Sequence, residues 1–291
     1  MKRTDASTEL PPDLSESQWA ALLNLLADDD PAVYQTVRQK ILSYGPAVAV
    51  WLRPHFLSDD PALRRRAHEI VRIFERLEAD NDFLAFCLHG AEQFDLEAGA
   101  WLLALTRYPD LNPEAQSALL DQFAAEIREE LDAEAEPRRQ LEIINTHFFG
   151  RLGFNGDRIN YLDPDNSYLN RVLDRRTGNP INLCLVYMLL ARRLQLPITG
   201  IGMPGHFVCR YQTNSESVYI DVFHGGKLLT KTHCVQYLIR GNFGVRDEFL
   251  APVSPRRLLH RICSNLQQIY LDLKQPDEAV RLQRYAVALG R

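Results

Sequence analysis

The chain has 291 residues, 46% of them apolar and 24% charged, which is typical of a globular protein and excludes a disordered or fibrous one. Its formal net charge of -5 argues against a general nucleic-acid-binding protein, which needs a basic surface. No apolar run approaches the roughly 18 residues of a membrane-spanning helix, and the first residues lack the apolar segment of a secretory signal. We therefore expect neither a membrane segment nor export.

The five cysteines are scattered along the chain and form no CxxC pair. They are Cys87, Cys184, Cys209, Cys234 and Cys263. An odd number of unclustered cysteines indicates neither a disulfide framework nor a zinc knuckle. We expect a cytoplasmic protein whose thiols stay reduced.

The region up to about residue 92 is predicted to be helical, because its apolar residues recur at three- and four-residue spacing. It contains the tetrapeptide DDPA twice, from Asp29 and again from Asp59, 30 residues later. In each copy an aspartate, Asp30 or Asp60, precedes a proline that suits the first position of a helix, so both are predicted to cap helices. The pattern resembles a short HEAT-like repeat, with a role in support or recruitment.

The rest of the chain predicts an α+β core followed by a helical hairpin. The stretch NPINLCLVYMLLARR is apolar almost all round and belongs in the middle of a core. Strand-like runs follow at PITGIGM, HFVCRY and SVYIDVF, and two helices joined by KQP end the chain. We predict a mostly helical α+β protein with three parts: a helical segment 1–92, a core 93–255 with a small antiparallel sheet packed on the buried helix, and a hairpin 256–291.

The hairpin formed by HFVCRY and SVYIDVF carries the first candidate site. A turn centred between Thr213 and Asn214 would place His206 directly opposite Asp221, on the same face of the sheet and within reach of a hydrogen bond. Cys209 would then face the other side. An imidazole oriented by a carboxylate is two thirds of a Cys/His/Asp site, but the same pair can also be purely structural.

A nucleophile for this pair should stand at the start of the buried helix, where helix N–H groups lower the pKa of a thiol. Asn179 fits the cap and Pro180 the first helical position, so the first turn contains no cysteine. Cys184 comes one turn later, between two leucines. It is either a nucleophile in a poor position or a small buried apolar residue.

From about Asp95 onward, the chain resembles the SirB-type proteins, a bacterial family with a transglutaminase-like core and a tetratricopeptide-like tail. The resemblance lies in DPDNSYLNRVLDRRTGNPINL, ARRLQLP, GMPGHFVCRY and YIDVFHGG, in that order. It implies a papain-like or transglutaminase-like fold in which a cysteine at the start of the central helix works with a histidine and an aspartate on neighbouring strands. His206 and Asp221 match the last two. The cysteine of the superfamily would fall near Pro180 to Asn182, where this chain has none.

Other kinds of site find less support. His206, Cys209 and His224 could be read as metal ligands, but alternation turns Cys209 away and no fourth ligand is evident. DPDNS has the oxygens of a calcium loop without its glycine or closing glutamate. No phosphate-binding glycine pattern occurs. We predict neither a metal nor another cofactor.

Two functions remain open on this basis. The first is an interaction or scaffold protein that has lost its nucleophile, keeps His206 and Asp221, and uses Asn179, Asn182 and His224 in a binding cleft for a protein or peptide partner. The second is a thiol hydrolase or acyltransferase acting on an amide, with Cys184 as nucleophile, His206 as base and Asp221 as orienting carboxylate. Neither involves nucleic acid or a membrane, and the oligomeric state is not determined by the sequence.

Overall fold

A computed structural model of the chain describes residues 14–88, 94–132, 134–214 and 216–290. The chain divides into two compact units, Met1–Asn81 with Thr106–Pro109, and Asp82–Leu105 with Asp110–Arg291. The predicted boundary between residues 92 and 93 lies outside the described residues, and the three-part division stays a prediction. No helix in the described part of the chain combines the length and apolar content needed to span a bilayer.

The first unit is built from helices: α1 (Glu16–Leu26), α2 (Pro31–Ser43), α3 (Val48–Leu52) and the first part of α4 (Pro61–Leu88). Asp30 caps α2 by accepting a 2.7 Å hydrogen bond from the Ala32 amide, and Asp60 caps α4 by accepting one of 2.7 Å from Ala62. Both predicted caps are thus confirmed. A carboxylate suits this position because it satisfies an amide that has no partner within the helix. The HEAT-like assignment stays a prediction.

Helices also dominate the second unit. They are α5 (Leu96–Leu105), α6 (Pro113–Glu130), α7 (Pro137–Asn145), α8 (Leu169–Arg175), α9 (Pro180–Arg193), α10 (Lys231–Arg240), α11 (Pro255–Asp272) and α12 (Pro276–Leu289). Every residue from Pro180 to Tyr187 of α9 is buried, which confirms the predicted central helix. The helices α11 and α12 form the C-terminal hairpin.

The sheet of this unit is antiparallel and has the order β3 (Ile198–Ile201), β4 (Val208–Gln212), β5 (Ser217–Asp221) and β6 (Lys227–Leu229). Two short strands, β1 (Asn155–Gly156) and β2 (Thr177–Gly178), pair separately and in parallel. One face of the sheet lies on α9, where the Cys209 thiol donates a 3.7 Å hydrogen bond to the carbonyl of Cys184. The predicted α+β class is confirmed.

The predicted register of the hairpin is wrong by two residues. Cys209 pairs with Ile220 across β4 and β5, whereas the predicted turn would have paired it with Val218. Thr213 sets this register, since its amide donates to the Glu216 carbonyl at 2.9 Å and its hydroxyl accepts from the Glu216 amide. A shift of two residues keeps side chains on the same faces of the sheet. His206 lies in the loop before β4 and not within the predicted strand.

A buried ion pair joins the end of α9 to α5 and α6. Arg193 donates two hydrogen bonds of 2.8 Å to the Glu97 carboxylate and one of 2.6 Å to Asp121, while the Ser117 hydroxyl also donates to Glu97. Burial raises the pKa of Glu97, but Arg193 and Ser117 outweigh it and hold the pKa below its usual value. Glu97 therefore stabilises the fold as a carboxylate.

We expect Glu97→Gln to lower the free energy of unfolding at pH 7 by roughly 2–3 kcal/mol, because Arg193 loses its buried carboxylate and keeps only the exposed Asp121 as a charged partner. Because the pKa of Glu97 is lower in the folded than in the unfolded protein, its contribution to stability is complete above the unfolded pKa of 4.5. This contribution is lost as the pH falls through the folded pKa. The difference between the two proteins should therefore shrink below pH 4.5 in urea titrations at several pH values.

Glu129→Gln serves as the control, because Glu129 is an exposed residue of α6. It should change stability by less than about 0.5 kcal/mol at every pH. A Glu97→Gln protein that tracks this control at pH 7 would contradict the role of the ion pair.

Candidate functional site

The carboxylate of Asp221, the last residue of β5, contacts two imidazoles. Its Oδ2 lies 2.8 Å from Nδ1 of His224 and 3.1 Å from Nε2 of His206, and its Oδ1 accepts a 3.2 Å hydrogen bond from the His224 amide. The predicted proximity of His206 and Asp221 is confirmed. The His206 contact is close but poorly aligned, since Nε2 is buried without a well-oriented hydrogen-bond partner. The three side chains form one cluster at the end of β5.

The carboxylate of Asp221 is 8% exposed and is kept anionic by its neighbours. Burial alone would raise its pKa, but the neighbouring imidazoles of His206 and then His224 outweigh burial and hold the pKa below its usual value. A buried charge of this kind is stable only when it is paired. Asp221 can therefore orient an imidazole or bind a cation.

His206 is positioned by contacts to the backbone of its loop. Arg261 of α11 donates hydrogen bonds of 2.7 Å to the Met203 carbonyl and 3.0 Å to that of His206 itself. Tyr237 of α10 donates to the Pro204 carbonyl at 3.2 Å, and its ring lies 5.9 Å from the imidazole. Gly205 adopts φ +73°, which favours glycine and closes the turn. Two helices thus fix the loop that presents His206.

Cys184 lies inside the core, with none of its surface exposed. Its thiol donates a 3.6 Å hydrogen bond to the Phe207 carbonyl, next to His206 along the chain, and not to the imidazole. Burial raises the pKa of Cys184 well above its usual value, and Cys209 and the Asp221 carboxylate raise it further. The residue has the properties of a buried apolar side chain.

The start of α9 is occupied by two asparagines. Asn179 accepts a 3.0 Å hydrogen bond from the Asn182 amide and donates one of 2.8 Å to Ser167, in the 3-10 turn Pro164–Ser167. Asn179 and Asn182 are both buried, at 5% and 1% exposure. The structure thus places them in an internal helix cap, whereas His224, whose side chain is 46% exposed, lies at the surface beside Asp221. The assignment of all three to a binding cleft stays a prediction.

Aromatic rings continue from the cluster to the surface on both sides. On one side Phe223 lies edge-on to His206 and to Tyr161, with ring centroids 6.5 and 6.0 Å apart. On the other side Tyr237 follows His206, and Phe243 stacks on Tyr237 at 6.2 Å. We call Tyr161, Phe223, Tyr237 and Phe243 the aromatic rim. Tyr161 and Phe243 are exposed at 46% and 41%, a degree that is typical of residues which contact other molecules.

The residues that could hold a metal ion differ from the set considered in the sequence. The ligand atoms of His206, Asp221 and His224 all lie within 4.8 Å of one another. Cys209 faces α9, as alternation along the strand predicts. The set of possible metal ligands therefore contains Asp221, and not Cys209, beside the two histidines.

Sequence patterns point only weakly to Arg261, Tyr237 and Tyr161. Arg261 lies at the edge of the apolar stripe of α11, which is a weak signal for a buried arginine. Its two carbonyl partners are 55 and 58 residues away along the chain, and so local patterns do not reveal them.

We expect Arg261→Lys to loosen the loop around His206, because an ammonium group does not reproduce the planar guanidinium that reaches two carbonyls. The free energy of unfolding should fall by roughly 1–2 kcal/mol. The amide and imidazole NMR signals of residues 203–206 should shift and broaden.

Arg257→Lys, an exposed position one turn earlier on α11, provides the matched control and should leave these signals in place. Unchanged His206 resonances in Arg261→Lys would contradict the positioning role of Arg261.

Comparison with known proteins places these observations in a family. Residues 114–264, just over half of the chain, match the family model described as the transglutaminase-like superfamily. A UPF0162 protein of Xylella fastidiosa is 33% identical over 197 residues, which cover 65% of this chain and 70% of that protein. A second UPF0162 protein, from Pseudomonas aeruginosa, is 30% identical over 67% of this chain and 71% of its own length.

Another relative matches a smaller part of the chain. Human F-box only protein 21 is 34% identical over 134 residues, which are 43% of this chain and 21% of that protein. No solved structure matches the chain.

Proposed function

We propose that this chain, which belongs to the transglutaminase-like superfamily, is an interaction protein that binds a segment of a partner protein at the aromatic rim and has lost thiol chemistry. The observation that carries the proposal is the state of Cys184. A nucleophilic thiol needs a lowered pKa and contact with its base, whereas this thiol is fully buried, has a raised pKa and donates to a backbone carbonyl.

The start of α9 supports the same conclusion. The first-turn amides of this helix would activate a thiol or bind an oxyanion, but the side chain of Asn179 caps the amide of Asn182. Asn179 and Asn182 fill this position and are themselves buried. A His/Asp pair is therefore left without a thiol at the place where the superfamily chemistry would need one.

The aromatic rim supports a binding role. Exposed aromatic rings beside a fixed polar cluster are typical of protein interfaces, where rings supply contact area at little cost in entropy. Further apolar side chains are exposed in the loop before Tyr161 and after Phe243, namely Ile159 at 93% and Val245 at 53%. An extended peptide that contacts the rim would place its polar backbone near His206 and His224.

The proposal also includes the family subgroup, the type of the first segment and of the tail, and the location of the protein. SirB-type membership is supported by the order of the motifs, and a tetratricopeptide-like tail by the packed hairpin of α11 and α12. The two DDPA caps support a HEAT-like first segment. A cytoplasmic location is supported by the five cysteines, all of which are free and buried.

We expect iodoacetamide to label Cys184 slowly in the folded protein from pH 5 to 9, no faster than the other four cysteines. The reason is that burial both blocks access and raises the pKa of the thiol. Site-resolved mass spectrometry measures the labelling rate of Cys184 in the wild type and in His206→Ala. His206→Gln is a second variant in case His206→Ala unfolds, and circular dichroism shows whether each variant is folded. Fast labelling of Cys184 at pH 6 that is lost in the folded His206 variants would establish a thiolate–imidazolium pair and thus the thiol enzyme.

Binding is tested by selecting displayed random peptides on the immobilised protein. We expect Tyr161→Ala to weaken the selected peptides about tenfold, because an aromatic contact at an interface contributes roughly 1–2 kcal/mol. Leu273→Ala removes a similarly exposed apolar side chain of the same unit, 45% exposed, and should leave affinity unchanged. Peptides that bind wild type and Tyr161→Ala equally, or no enrichment at all, would contradict binding at the rim.

A further inference from the structure

We propose that His206, Asp221 and His224 form a site for a divalent transition metal ion of the zinc class. The ligands are Nε2 of His206, a carboxylate oxygen of Asp221 and Nδ1 of His224. The inference goes beyond the interaction role and does not depend on it, because it rests on the geometry of this cluster alone.

The three ligand atoms already converge. Asp221 Oδ2 lies 2.8 Å from His224 Nδ1 and 3.1 Å from His206 Nε2, and all three atoms lie within 4.8 Å of one another. Tetrahedral zinc with bonds of about 2.0–2.2 Å holds its ligands roughly 3.4 Å apart. The two contacts to Asp221 need to open by only a few tenths of an ångström. The side chain of His224 is 46% exposed, so an ion can reach the cluster from solvent.

One polar atom of the cluster lacks an aligned partner. His206 Nε2 is buried and has no aligned hydrogen-bond partner, although a carboxylate oxygen lies 3.1 Å away. Buried polar atoms normally find such a partner, so an exception calls for an explanation. A metal ion between Nε2 and the carboxylate would satisfy both groups along their lone pairs.

The charge of the cluster also favours a cation. Asp221 is a buried carboxylate, and a buried anion needs a partner of opposite charge. A divalent ion beside it would supply that charge. Imidazole and carboxylate ligands together suit zinc, cobalt, nickel and iron better than magnesium or calcium, which prefer oxygen.

The ligands are held in place by surrounding contacts, as metal sites require. Arg261 fixes the backbone of His206, and the His224 amide fixes the carboxylate of Asp221. The turn after His224 is held by Asn145, whose side chain donates a 2.9 Å hydrogen bond to the Gly226 carbonyl. Gly226 has φ +74°, and a Cβ there would lie 2.6 Å from Asn145, so the turn needs glycine.

Three protein ligands leave one position of a tetrahedral ion open, the arrangement that zinc adopts in catalytic rather than structural sites. The side chain of His224 is 46% exposed, so water or another small ligand could reach such an ion. Cys184 donates to the Phe207 carbonyl and is not a ligand in this arrangement.

Calorimetric titration of the chelator-treated full chain with Zn²⁺ tests the site. We expect one ion per chain, with affinity at least about 100-fold lower in His224→Ala, since even the groups that orient a ligand contribute 10- to 100-fold. His224 lies at the surface, so its variant should fold, and circular dichroism checks this. His233→Ala removes another exposed histidine and should bind as the wild type does. Mg²⁺ should not bind.

A ligand exchange gives an independent readout. Co²⁺ bound to His224→Cys should show a sulfur-to-cobalt charge-transfer band that is absent from the wild type, and Cys184→Ser should keep the wild-type spectrum. Asp221→Asn should weaken Co²⁺ binding as much as His224→Ala does. Equal Zn²⁺ affinity in the wild type and His224→Ala, or the absence of one-to-one binding in the wild type, would overturn the proposal. Neither result would bear on peptide binding at the rim, which the Tyr161→Ala variant measures.

Discussion

A buried carboxylate has to be paired, and the surroundings of Asp221 follow from that requirement. Its two oxygens face two imidazoles and one backbone amide, all within 3.2 Å. To supply them, the chain leaves β5, forms a single 3-10 turn that returns His224 to the carboxylate, and leaves that turn through Gly225 at φ +73°. The loop with His206 approaches from the other side, held there by Arg261. The contacts of the site therefore supply the partners that this carboxylate lacks once it is buried away from water.

The central helix determines the surroundings of Cys184. α9 is buried along its first eight residues, and that packing stabilises the core while it encloses Cys184 completely. A reactive cysteine needs the opposite surroundings, a first-turn position with some access to solvent. Asparagine and proline occupy those positions here and cap the helix. The His/Asp pair thus lies in a unit whose central helix begins with a side-chain cap, Asn179, and not with a thiol.

The rim and the polar cluster meet at His206. Phe223 and Tyr237 contact its ring from two sides, and Asp221 lies at its Nε2. A partner segment at the rim and an ion in the cluster would therefore share this imidazole. Ion binding would rigidify the same ring that a partner contacts, which gives the two proposed sites a physical means of coupling.

Patterns within the sequence were enough to determine the local structure. The apolar stretch after Asn179 predicted a buried helix, the DDPA repeats predicted the caps at Asp30 and Asp60, and strand alternation predicted that Cys209 faces away from His206. Each of these depends on neighbours a few residues apart, so the chain itself specifies them.

The hairpin register was misjudged by two residues, because Thr213 and Glu216 close the turn through contacts that the pattern of apolar residues does not encode. His206 still reached Asp221, but it does so from the loop before β4, where Arg261 holds its backbone carbonyl. Only the tertiary structure decided the remaining features. These are the hydrogen bonds from Arg261 to the His206 loop, the burial of Cys184, and the contact of His224 with the carboxylate of Asp221. These contacts join residues that are distant in sequence or face into a turn, and their geometry exists only after the core has packed.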